Sequence, residues 1–107
     1  MAKYKPETCP ISQFAEILGD GWGWLILREA FRGTSRFSDF RRETGIAKNI
    51  LKLRIDRLVE NGLIERKNMG ISGQRYEYFL TLKGRSLEPI FLNIFDWSKD
   101  NLKDERQ

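Results

Sequence analysis

The chain has 107 residues, a net charge of +4, 40% apolar residues, one cysteine and no histidine, which bounds it to one domain with a single modest core. Without histidine there is no imidazole base, no Ser-His-Asp or Cys-His pair and no ordinary zinc set, and no spacing forces two carboxylates into one pocket, so an enzyme, a cofactor and a metal are not expected. The longest apolar run, "WLIL" at 24–27, is too short for a membrane span, the N-terminus "MAKYKPETCPISQ" lacks a signal-peptide core, and a lone cysteine excludes an intrachain disulfide; these features point to a cytoplasmic protein with no membrane span.

Pro10 suits a first helical position, and Ile11, Phe14, Ala15 and Leu18 follow at helical spacing until Gly19, predicting a helix over 10–18. "GDGWG" at 19–23 is glycine-rich but lacks the Lys-Ser/Thr ending of a phosphate loop and reads as an interhelical turn. A second helix, Trp22 to Phe31, is mostly apolar and therefore central, with Gly33 closing it. Its Trp22 and Trp24, with Phe31, read as core aromatics, the lining of a ligand cavity being the other reading. "TSRF" at 34–37 is long enough only for an extended connector or one bridge of strand. Ser38 is expected to cap a short third helix, "DFRRET", with Phe40 inward and Arg41 and Arg42 outside.

The stretch "TGIAKNILKLRIDRLVENG", 44–62, reads as one amphipathic helix after a Thr44-Gly45 turn. Leu51, Ile55, Leu58 and Val59 share its inner face, and Asn61-Gly62 stops it. Its polar face carries Lys48, Asn49, Lys52, Arg54 and Arg57 against Asp56 and Glu60. The period then changes to two over Leu63–Lys67 and Arg75–Thr81, with Tyr76, Tyr78 and Leu80 on one face and "NMGISGQ" as a long, flexible hairpin tip holding Gly70 and Gly73. Thr81 is expected to cap a last helix, bent at Pro89. Leu87, Ile90, Phe91, Leu92, Ile94, Phe95 and Trp97 make that helix apolar on too many sides for one contact face, which predicts a dimer. The polar tail "KDNLKDERQ" is expected to fray.

The excess charge is local. Residues 1–27 hold two basic and three acidic groups and residues 60–107 eight of each, whereas residues 28–59 hold nine basic and four acidic. A basic stripe of this kind suits a polyanion, either nucleic acid or an anionic membrane surface. Mainly helical elements followed by a small β-hairpin predict one winged helix-turn-helix domain over 1–107, with the helix-turn-helix at about 38–61 and the wing at about 63–81. On this fold Lys48, Asn49 and Lys52 face the DNA major groove, Asn49 being able to bond an adenine edge at two points, and Arg36, Arg41 and Arg42 suit phosphates. Solvated surface charge is the plainer alternative. Arg54 borders the buried face, where a phosphate contact and an internal pair with a third-helix carboxylate are both open.

"CP" at 9–10, "GDGWGWLILRE" from 19, "RFSDFRRETGIAKNILKLRIDRLVENGLIER" from 36, "RYEYFLTLKGRSL" from 75 and "DW" at 96–97 stand in the order found in the HxlR-type transcriptional regulators, which the chain resembles from Cys9 to Trp97. The resemblance implies a homodimer joined by added N- and C-terminal helices, about 10–18 and 82–101, that binds a palindromic operator. The dimer seam would include Ile11, Phe14, Phe91, Ile94, Phe95 and Trp97. The family's recognition-helix start falls on Ala47, Lys48 and Asn49, and its wing arginine on Arg75. Gly21 stands where the family commonly has Lys or Arg, Leu53 where it has a polar residue, and "SGQ" replaces a common proline pair in the wing. Cys9, at the N-cap of the first helix with Lys3 and Lys5 nearby, is a redox candidate, since some members respond to oxidants or electrophiles through a cysteine here. Packing at the dimer seam is the alternative role for Cys9. A small-molecule or oxidant effector and, as a rival function, a winged-helix module that docks protein without specific DNA binding remain open.

Overall fold

The computed structural model describes residues 7–102. Six helices and one hairpin follow each other as α1 (Pro10–Leu18), α2 (Trp22–Phe31), α3 (Phe37–Thr44), α4 (Lys48–Glu60), β1 (Ile64–Asn68), β2 (Tyr76–Leu80), α5 (Leu82–Arg85) and α6 (Glu88–Asn101). Ile26 and Leu27 of α2 are fully buried, and Leu18, Phe40, Leu51, Ile55, Leu58, Leu63, Ile64 and Tyr78 close around them. Each such side chain contributes about 1.5–3 kcal/mol on burial, so α2 is the strut on which the other elements are set. Trp22, Trp24 and Phe31 pack against this core.

The expected limits of α1 and α2 match the structure, with Cys9 at the N-cap of α1 and Pro10 in its first turn. Ser38 does not cap α3. The N-cap is Arg36, no side chain caps the helix, and Ser38 lies inside the first turn. The cause is tertiary. Arg36 forms a β-bridge with Glu77, and the Tyr78 N–H donates to the Ser35 carbonyl at 2.8 Å. The connector therefore stays extended along the outer edge of β2, and the chain turns into α3 immediately afterwards.

Between α3 and α4 the chain reverses through Gly45, whose φ of 73° lies in the left-handed region that favours glycine. Thr44 Oγ1 donates to the Phe40 carbonyl at 2.7 Å and accepts from the Ile46 N–H at 3.2 Å. Ile46 is buried, which fixes the turn to the core. The recognition-type helix thus begins at Lys48, with residues 45–47 as turn. At its other end the Lys83 ammonium donates to the Asn61 carbonyl at 2.9 Å, tying α5 to the end of α4.

β1 and β2 pair antiparallel from Ile64 opposite Leu80 to Asn68 opposite Tyr76. The tip is built more closely than its sequence suggests. Asn68 Oδ1 accepts from the backbone N–H groups of Gly70 at 3.0 Å and Arg75 at 3.1 Å, closing the loop at its base. Gly70 is required there, because an added Cβ would stand 1.9 Å from the Gly73 carbonyl oxygen.

The C-terminal segment is two helices rather than one bent helix. Thr81 caps α5 by accepting from the Gly84 N–H at 3.0 Å, α5 ends at Arg85, and Pro89 falls in the first turn of α6. A proline there sacrifices no helical hydrogen bond, so the break precedes it. The fraying expected of residues 99–107 does not reach Asn101, which is helical; residues 103–107 lie outside the described residues. α6 buries no residue fully. It is held by Phe91, whose ring stands 6.0 Å from Trp24 and 5.3 Å from Phe31, while Phe14 of α1 stacks on Trp24 at 5.6 Å.

Candidate nucleic-acid interface

Core contacts turn Leu51, Ile55 and Leu58 of α4 inward and leave Lys48, Asn49, Lys52 and Leu53 on the outside. Asn49 and Leu53, four residues apart, occupy one outer ridge. Leu53 is 63% exposed and Ile50 37% exposed, so the ridge carries apolar groups beside the amide and the lysines. Periodicity gives no sign of Ile50 at this surface, because it stands beside Leu51 at the border of the inner face. Phe37, Ser38, Arg41, Arg42, Gly45, Ile46, Ala47 and Lys48 line an open cleft between the start of α3 and the start of α4. This juxtaposes two expected phosphate ligands, Arg41 and Arg42, with the expected start of the recognition helix, Ala47 and Lys48.

Most cations of the basic middle third have protein partners. Arg54 does not pair with a carboxylate of α3, as one reading expected. It makes a bidentate pair with Asp20 in the α1–α2 turn, Nε to Oδ1 at 3.2 Å and Nη2 to Oδ2 at 2.9 Å. That contact holds the Asp20 carboxyl below the usual carboxylate range and raises the Arg54 guanidinium. With its side chain only 21% exposed, Arg54 ties α4 to the α1–α2 turn instead of standing ready for a phosphate. Arg57 likewise turns inward and donates to the Glu16 carbonyl at 2.9 Å. Lys52 pairs with Asp56 at 2.7 Å. Arg42, expected to stand free outside, is held by Glu43 at 3.1 Å and Asp39 at 2.9 Å, which raise its pKa. Arg28 and Arg32 share the buried carboxylate of Glu29. Among the described residues, the side chains of Arg41, Lys48 and Asn49 hold no ion pair or hydrogen bond, and all three are exposed. A count of charges along the sequence therefore overstates the open positive surface, and the unpaired side chains of this middle third lie at the mouth of the α3–α4 cleft.

Arg36 and Arg75 belong to a separate group. Glu77, 8% exposed, lies between them on the outer face of the hairpin. Its Oε1 accepts from Ser35 Oγ at 2.7 Å, and its Oε2 stands 3.4 Å from Arg75 Nε and 3.9 Å from Arg36 Nε. Strand alternation gives no hint of this residue, because a glutamate opposite an inward tyrosine reads as solvated.

Of the expected dimer residues, Ile11, Ile94, Phe95 and Trp97 are strongly exposed. Phe14 and Phe91 are partly buried and spend a large part of their rings on the intrachain stack with Trp24. Cys9 is partly buried, and its thiol is held below the ordinary thiol value, first by the backbone N–H of Ser12 and then by the Ser12 hydroxyl. Lys3 and Lys5 lie outside the described residues.

No helix among the described residues is long and apolar enough to cross a membrane. Residues 17–106 match the HxlR-like helix-turn-helix family. Rv3095 of Mycobacterium tuberculosis (strain H37Rv), an uncharacterised HTH-type transcriptional regulator, is 37% identical over 92 residues, which cover 86% of this chain and 58% of the relative. The chain thus spans little more than half the length of that protein. The crystal structure of PA1607, a candidate transcription factor, superposes with a TM-score of 0.83 at 40% identity, over 94% of this chain and 70% of that one. The redox regulator HypR in its oxidised form superposes with a TM-score of 0.80 at 30% identity, over 90% of this chain and all of the other. With the helix-turn-helix, the wing and the sequence match all in register, the chain belongs to the HxlR-like helix-turn-helix family of transcriptional regulators.

Proposed function

We infer that the protein binds double-stranded DNA in a sequence-specific manner, as a homodimer on a palindromic operator, with α4 in the major groove. The observation that carries this reading is the exposed, unpartnered set of Arg41 on α3 with Lys48 and Asn49 at the start of α4. Cations without protein partners are free to displace counterions from phosphates, and an amide on an outward ridge is free to reach a base edge. Ala47 at the turn allows close approach, and Lys52 serves the backbone on exchanging its surface pair with Asp56. Arg54 serves the site by holding α4 in place. The cell compartment consistent with this function is the cytoplasm.

Asn49→Ala is expected to lose on the order of 1–3 kcal/mol at the operator while leaving binding to unrelated duplex almost unchanged. Fluorescence anisotropy on promoter DNA around the protein's own gene, titrated over salt, measures both quantities. The rival reading, a module that docks protein, predicts no steep salt dependence and no effect of Asn49 on duplex binding.

A second reading, favoured by the environment of Cys9, is that an oxidant or electrophile switches DNA affinity. A thiol pKa lowered by the Ser12 contacts means a larger thiolate fraction near neutral pH, and the thiolate is the reactive form. HypR, a redox regulator solved in both reduced and oxidised forms, shares the fold. With one cysteine in the chain, the accessible products are an intersubunit disulfide, a mixed disulfide with a small thiol, or an electrophile adduct. The alkylation rate of Cys9 should reach half-maximum at a pH below that of a free thiol, and mild oxidant should change operator affinity in wild type but not in Cys9→Ser. Equal shifts in the two proteins would leave Cys9 a packing residue.

A further inference from the structure

We propose that Glu77 is a positioning residue for DNA binding, and that it sets Arg36 and Arg75 as a clamp for a single backbone phosphate between the wing and the start of α3. The inference rests on the DNA-binding reading above and concerns a site separate from the Asn49 ridge. Arg75 immediately precedes β2, two residues before Glu77, and its Nε reaches the same carboxylate, while the bridge places Arg36 directly across from Glu77. On the other side Glu77 is opposite Lys67, but Lys67 is drawn away to Glu65 at 3.0 Å. Glu77 therefore faces two guanidinium groups from segments about forty residues apart in the chain.

The geometry leaves those groups incompletely satisfied. The separations of 3.4 and 3.9 Å from Oε2 are charge contacts too long for short hydrogen bonds, whereas the hydrogen bond from Ser35 fixes the carboxylate itself. The arginine side chains remain 54% and 56% exposed while the Glu77 side chain is 11% exposed, so the carboxylate lies beneath two guanidinium groups open to solvent, Arg75 Nη2 making in addition a long contact of 3.5 Å to the Met69 carbonyl. Two guanidinium charges share one carboxylate, which leaves about one positive charge uncompensated, the complement of one phosphodiester. Arg36 is also the N-cap of α3, which has no side-chain cap, so the open N–H groups of the first turn lie beside the same place. Between the wing and a helix N-terminus, a phosphate would meet guanidinium from both elements.

The sign of one substitution separates positioning from bulk electrostatics. Glu77→Gln adds one unit of positive charge, which by itself tightens binding to a polyanion. If Glu77 positions the arginines, the variant instead binds operator roughly 3- to 10-fold more weakly, and Arg75→Ala causes little further loss in its background. Glu77→Asp keeps the charge but withdraws it by one methylene and is expected to weaken binding in the same direction. Arg36→Ala and Arg75→Ala, both at exposed side chains, provide a measurement that does not depend on the buried site tolerating change. For a shared phosphate, the double variant should lower the salt slope by about one unit, not two, and lose less affinity than the sum of the single losses. Anisotropy titrations over salt, with circular dichroism confirming the fold at assay temperature, read all of these. Unchanged or tighter binding by Glu77→Gln and Glu77→Asp, or additive arginine losses with a slope change near two, overturns the clamp while leaving the DNA-binding reading intact. Absence of any salt-dependent duplex binding by wild type overturns both.

Discussion

Changing Ile94 and Trp97 together to aspartate is expected to convert the proposed dimer into a monomer and to weaken operator binding by about 10²- to 10⁴-fold. Ile90, Ile94 and Trp97 recur at helical spacing on α6, and they are 48%, 43% and 60% exposed. They form one stripe beside Phe91, the residue that fastens α6 to its own domain through Trp24 and Phe31. An apolar stripe of this length, continued by exposed Leu92, Phe95 and, on α1, Ile11, is the surface that a second copy would cover in the proposed dimer. Two buried carboxylates without partners would cost more than such a seam returns. The large effect on DNA follows from linkage: in a dimer the second half-site is engaged at a high effective concentration, and a monomer binds each half-site alone. Because α6 buries no residue fully, the monomer should retain its helical content. Sedimentation velocity at micromolar concentration measures the assembly state and anisotropy the affinity. A wild-type protein that sediments as a monomer would defeat the dimer, and a variant that stays dimeric would place the seam elsewhere.

Phe40→Ala is expected to destabilise the domain by about 3–5 kcal/mol, the usual result of emptying a fully buried aromatic site. Phe40 is fully buried and is the only buried residue of α3; Phe37 adds a partly buried ring. Against the roughly 5–15 kcal/mol of total stability typical of a domain this size, the loss should lower the melting temperature by roughly 12–40 °C. Function should fail with it, because α3 starts from Arg36, carries Arg41 and leads through Gly45 into α4. Thermal and urea unfolding monitored by circular dichroism measure the loss. Arg41→Ala, at an exposed position, should stay within about 0.5 kcal/mol of wild type. A Phe40→Ala loss below about 1 kcal/mol would mean that α3 is fixed mainly through Phe37 and the backbone bridge.

Elements whose causes are local can be read from the chain alone. Proline at the start of α1, the helical repeat of Leu51, Ile55 and Leu58, the alternation across the hairpin, and Gly45 and Gly62 at helix ends each act within a turn or two of chain, so the winged helix-turn-helix and its outward ridge at Lys48, Asn49 and Lys52 were legible without coordinates. Tertiary structure alone decided where long-range partners act. Ser38 is a good N-cap by composition, but the Arg36–Glu77 bridge started α3 earlier. The final helix divided before Pro89 because α5, capped by Thr81, is bound to the end of α4 through Lys83. The same holds for charge. The basic middle third is a property of composition, yet Asp20 and the Glu16 carbonyl take up Arg54 and Arg57 from distant positions, and only their folded proximity shows it. A side chain's type is fixed where it is written in the chain, but whether its charge faces solvent depends on the partner that packing brings within about 4 Å, and that distance has no trace in local periodicity.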